Sequence, residues 1–145
     1  MHSEKTSPLH PNALEAMSIE PEDFDEASNA LMELERRDKQ RAAAVSLRIL
    51  EGDTGDVFYR AFAFEVLYCA ALDDAVSYIE AHAATAEVYV LGAMIDAMTE
   101  DSNASADQKT IQRAATLLKK ALKVRSPPEI VSISEKISRF EEAYP

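Results

Sequence analysis

One cysteine, Cys69, stands among 145 residues. It excludes an intrachain disulfide and suits a reducing, cytoplasmic compartment. Glycine is almost as scarce, with three residues at positions 52, 55 and 92. Two-residue β-hairpins favour Asn-Gly, Asp-Gly or Gly-Gly, and none of these pairs occurs, so the chain lacks the turn material of a sheet protein. No window holds the roughly 18 uncharged apolar residues of a membrane span, and Met1 to Pro11 has no apolar core, as a secretory signal would require. The phosphate-binding, zinc-protease and nucleophile-elbow patterns G-x-x-x-x-G-K-[ST], G-x-G-x-x-G, H-E-x-x-H and G-x-S-x-G are missing as well. Cations are few: 15 against 26 acids, a formal net charge of −11. Free nucleic acid is a poor match for so negative a surface. The 47% hydrophobic content in turn excludes a disordered acidic tail and fits one compact domain.

Alanine, the best helix former, is abundant throughout. The fold class is therefore all-α, with about six to seven helices. Residues 1–20 carry Pro8 and Pro11 and are read as a flexible segment with at most a short helix over Asn12 to Met17, and 21–145 as a single helical-repeat domain. Pro21 suits a first helical position, with Glu22, Asp23, Asp25 and Glu26 against the positive helix end. Phe24, Ala27, Leu31 and Leu34 follow as an apolar stripe. Asp38 caps a second helix that Gly52 stops. Val57 to Leu72 holds only Arg60 and Glu65 as charges and reads as a helix buried nearly all round, at the centre of the molecule. Helices follow over Ala75 to Ala84 and Glu87 to Met98, the latter with Gly92 on its apolar stripe, where a close helix crossing would offset the glycine's cost of about 1 kcal/mol. Ser105 and Gln108 form a capping box, and Ser126-Pro127-Pro128-Glu129 forms another at the firmest boundary of the chain.

These helices read as antiparallel pairs. First helices begin near residues 21, 55 and 86 and second helices near 39, 74 and 106, a period close to the 34 residues of tetratricopeptide units. Ala114, Ala121 and Pro127 fall near that repeat's small, small and proline positions, and Gln40 to Asp53 has a similar cadence. Roughly residues 21 to 130 thus resemble a degenerate tetratricopeptide or HEAT-like repeat protein. The first helices depart from the pattern, lacking its aromatic, Leu-Gly and Tyr positions. The resemblance implies a stacked helical scaffold that holds another polypeptide, and it carries no catalytic motif or cofactor.

Candidate chemistry is sparse. Of His2, His10 and His82, only the last lies in the folded body, and it reads as a surface or packing residue because a metal site needs several converging ligands. Cys69 is expected to be buried and inert. Glu65 and Arg60 are read as charges that reach solvent or a partner while their stems pack, and Asp96 as the outer edge of its helix. An enzyme using Glu65, Asp96 and a tyrosine is the reading set aside. Tyr59, Tyr68, Tyr78 and Tyr89 are expected in the core with a wet hydroxyl.

The distribution of charge is more informative. Residues 51–107 hold twelve acids and a single base, Arg60, whereas 108–125 hold six bases and no acid. Such a face suits a basic protein partner, since complementary potentials steer association. The expectation is a non-enzymatic, acidic inhibitor of the immunity or antitoxin kind that occludes a basic partner such as a nuclease toxin. Its binding acids would be Asp53, Asp56, Asp73, Asp74, Glu80, Glu87, Glu100 and Asp101. The alternative is a secretion chaperone or adaptor that holds a peptide in a concave groove.

Overall fold

The computed structural model describes residues 9–102 and 107–145. Among these, eight helices longer than one turn pack together without a strand: α1 (Pro11–Ile19), α2 (Phe24–Arg37), α3 (Lys39–Glu51), α4 (Val57–Ala70), α5 (Leu72–His82), α6 (Val88–Glu100), α7 (Gln108–Lys123) and, after the single turn α8 (Pro127–Ile130) and a 3₁₀ turn, α9 (Ser134–Ala143). The all-α expectation holds.

Aspartates set four of the helix starts by accepting from backbone N–H groups that have no partner inside the helix. Asp38 accepts from Arg41 N at 3.1 Å, and Asp56 from Tyr59 N at 2.8 Å. Three starts differ from expectation: the helix expected from Ala75 begins at Leu72, and two others have a different cap. Asp23 caps α2, accepting from Asp25 N at 2.8 Å and Glu26 N at 3.1 Å, so Pro21 lies outside that helix; an aspartate that satisfies two amides outweighs a proline that merely tolerates the position. Asp107 accepts from Thr110 N at 3.1 Å to cap α7, while Ser105, of the capping box expected there, lies outside the described residues. The second box is present: the Glu129 carboxylate accepts from Ser126 N at 3.0 Å and from its hydroxyl at 2.7 Å.

Residues 11–19, in a segment read from sequence as flexible with at most a short helix over Asn12 to Met17, form a docked helix. Leu14 and Ser18 of α1 are buried, and the Tyr59 hydroxyl donates to the Ser18 carbonyl at 2.7 Å. Burial pushes the Tyr59 phenol up to about 12. Its hydroxyl is therefore bonded to protein rather than wet.

The helices form two layers. In the first, α2, α4, α6 and α9 lie side by side and parallel. Phe24 at the start of α2 meets Tyr59 near the start of α4, with ring centroids 5.5 Å apart. Phe58 meets Tyr89 at the starts of α4 and α6, and Tyr68 reaches Asp101 at their ends. The Tyr144 hydroxyl, just past the end of α9, donates to Met98 O near the end of α6 at 2.6 Å. Helices α3, α5 and α7 form the second layer, and α1 closes the first end against α2 and α3. The core between the layers holds Leu34, Ile49, Phe64, Leu67, Ile79, Leu91, Met94 and Ile95.

Gly55 is the glycine that the fold requires. Its φ is +74°, and a Cβ there would meet the Phe24 and Tyr59 rings at 2.9 Å. Gly55→Ala is expected to cost about 1–3 kcal/mol, read as a lower urea midpoint with unchanged slope. A variant as stable as the wild type would show that the α3–α4 loop repacks freely.

Candidate functional site

Helix α4 is not buried all round. Its neighbours cover three sides, and the fourth presents Phe58, Glu65 and Cys69 to solvent on the open face of the first layer. Beside that side runs a groove with α6 as its floor and with α4 and the start of α9 as its walls. The first part, about 370 Å³, is lined by Phe58, Ala61 and Glu65 of α4, Val88, Tyr89, Gly92, Ala93 and Asp96 of α6, and Ser132, Ile133 and Lys136. It continues into a depression of about 270 Å³ that shares Glu65 and Asp96 and adds Tyr68, Cys69, Ala97, Glu100 and Asp101.

The two parts differ in chemistry. At the first end the rings of Phe58 and Tyr89 meet edge to face, with centroids 4.5 Å apart, yet remain 59% and 52% exposed. A large aromatic pair left in water is a natural anchor for an incoming side chain. At the second end Glu65, Asp96, Glu100 and Asp101 gather. Lys136 is the cation lining the groove, and it forms an ion pair with Asp96. The Tyr68 hydroxyl donates to Asp101 at 2.9 Å. Burial and that carboxylate together hold the phenol protonated far above its ordinary range.

Burial first, then the neighbouring Glu100 and Asp96 carboxylates, raise Glu65 above its usual value, with Lys136 opposing. The folded state thus holds this proton more tightly than the unfolded chain. Stability is lost as pH climbs from the ordinary glutamate value through the raised one, and the penalty persists at neutral pH. Glu65→Gln is therefore expected to raise the melting temperature at pH 7, with the gain vanishing at acid pH where both side chains are neutral. A gain that grew on acidification would contradict the sign.

Gly92 lies on the groove floor. A Cβ there would meet Ile133 Cγ2 at 3.5 Å and Lys136 Cδ at 3.6 Å, ordinary contact distances. The close crossing expected from sequence therefore does not demand glycine, because α9 leaves room for a methyl group.

The eight acids singled out from sequence do not form one surface. Glu100 and Asp101 line the groove. Asp53 and Glu87 share a separate recess with Glu51, Arg60, Tyr78 and His82. Asp56 and Glu87 are occupied in capping α4 and α6, Glu87 accepting from Tyr89 N at 2.8 Å. Glu80 pairs with Arg113 at 3.2 Å. Asp73 and Asp74 sit exposed in the first turn of α5, facing neither cavity. Asp96, read as an outer edge, lies on the groove floor and lines both of its parts together with Glu65.

Other residues also sit differently from expectation. Cys69 is exposed, because it falls on the open side of α4; partial desolvation, then the Glu35, Glu65 and Asp101 carboxylates, push its thiol up. Tyr89 is exposed rather than core. Arg60 folds back onto its own loop, donating to Asp53 O at 3.2 Å and to Gly55 O. His82 packs its ring on Tyr78, with centroids 4.4 Å apart, and the described residues contain no group of three or more His, Cys, Asp or Glu placed to hold a metal ion.

Phe58, Tyr89, Glu65 and Asp96 escaped the sequence reading as a set. A signal was present: Phe58 precedes Glu65 by seven residues, and Tyr89 precedes Asp96 by the same interval. Seven residues are close to two helical turns, so each aromatic and its acid share one face. Comparison of the chain with protein-family models, curated proteins and solved structures finds no match, and the functional reading rests on this groove.

Proposed function

We propose that the protein is a non-enzymatic binding module that takes a basic segment of another protein into the α4/α6 groove and occludes it. One observation carries this reading: an exposed aromatic pair and four carboxylates open into a single groove, with Lys136 as the cation on its wall. Carboxylates that neighbour one another repel, and a cationic side chain entering between them relieves that repulsion. The inhibitor reading is kept, with its surface moved from acids spread along the chain to the groove; a basic toxin surface is the kind of partner it would cover.

The test is titration of the full chain with a labelled arginine- and leucine-containing peptide and with its glutamate counterpart, at low and high salt. The basic peptide is expected to bind, and to weaken by about tenfold or more between roughly 0.05 and 0.5 M salt, as screening shortens the reach of charges. Equal binding of the acidic peptide would overturn the reading. Salt-indifferent binding of the basic peptide would transfer support to a chaperone-type groove held by the Phe58–Tyr89 end alone.

A further inference from the structure

We propose that the bound segment carries one large apolar side chain and, about 10 Å farther along, a pair of cationic side chains. This deepens the groove reading above and rests on it. The distance is set by the two parallel helices: seven residues at about 1.5 Å each separate Phe58 from Glu65 and Tyr89 from Asp96. Because α4 and α6 run in the same direction and in register, the aromatics meet at one end and Glu65 feels the Asp96 and Glu100 carboxylates at the other. The groove is thus a ruler with an apolar mark and an acidic mark.

The floor supplies an independent observation. Between the two marks lie Ala61, Gly92 and Ala93, side chains too small to fill the space. Gly92 gives up helix stability, although neither Ile133 nor Lys136 stands in the way of a methyl group. Gly92 is itself buried beside Ile133 and Lys136, and with Ala61 and Ala93 it leaves the groove between the two marks unfilled, room that an incoming apolar side chain would take. The cations then face Glu65, Asp96 and Glu100, where one of them replaces Lys136 as the partner of Asp96.

A random dodecapeptide library displayed on phage and selected on the full-length chain tests the register. Enriched peptides are expected to pair an aromatic or large aliphatic residue with two Arg or Lys residues at the spacing that spans about 10 Å, near seven positions in a helix or three in an extended strand. Two variants that keep the fold complete the test. Phe58→Ala removes an exposed ring, and Gly92→Ala adds a methyl at ordinary contact distance. Each is expected to weaken enriched peptides about five- to tenfold while leaving a plain oligoarginine peptide within twofold. Basic peptides enriched without a fixed apolar position, or anchored peptides indifferent to both variants, would overturn the register yet leave the basic-segment reading standing. Enrichment of no basic peptides would overturn both.

Discussion

Replacing Phe64 with alanine is expected to lower the unfolding free energy by about 3–5 kcal/mol, the range found when a buried aromatic is truncated and its surroundings relax only in part. Phe64 has no exposed surface. Its ring lies 6.2 Å, centroid to centroid, from both Tyr68 and Tyr78, so it joins α4 to α5 between the two layers. Neighbours on two helices cannot all close on the void. Against a total stability of about 5–15 kcal/mol for a domain, the loss is large enough to lower the thermal midpoint by roughly 10 °C. Urea denaturation followed by circular dichroism measures it, and a loss below about 1 kcal/mol would mean that the layers repack.

Reversing two charges in the groove is expected to abolish binding without unfolding the chain. Glu65 and Glu100 are exposed, and lysines at both positions would set two new cations beside Lys136. A basic segment would then meet like charge where it had met carboxylates, a change worth several kcal/mol at a complementary interface. The Glu65→Lys/Glu100→Lys double variant should bind the arginine- and leucine-containing peptide at least a hundredfold more weakly, with a thermal midpoint within a few degrees of wild type. The control is Asp73→Lys/Asp74→Lys, which makes the same change in net charge outside the groove. It should shift affinity by about threefold at most, through long-range attraction alone. Equal losses in the two variants would show that overall charge, not the groove, governs association.

The local structure was legible because it is decided by neighbours in the chain. Asp38 and the Ser126–Glu129 box satisfy amides within three residues of themselves, so their roles could be read from spacing alone, whereas Asp56, read as a binding acid, proved to be a cap. The missed start at Asp23 has the same origin, since two cap hydrogen bonds compete with a proline that makes none. The Val57–Leu72 segment shows the limit of such reading. Its composition says apolar, but composition cannot say which side neighbours will cover, and Phe58, Glu65 and Cys69 were left on the open one.

By itself, then, the sequence determined that the protein is helical, where most helices begin, and that residues 51–107 hold twelve acids against a single base. These follow from backbone propensity, capping and composition, which act over a few residues. Which acids act together was decided only by tertiary structure. The parallel packing of α4 and α6, residues 57–70 and 88–100, brings Glu65 to Asp96 and Phe58 to Tyr89 across a gap of thirty-one positions. Asp73 and Asp74, on α5, stay outside the groove, and the packing of α5 on α7 ties Glu80 to Arg113. Electrostatic attraction and hydrophobic contact depend on distance in space, and the order of residues fixes that distance only once the layers have formed.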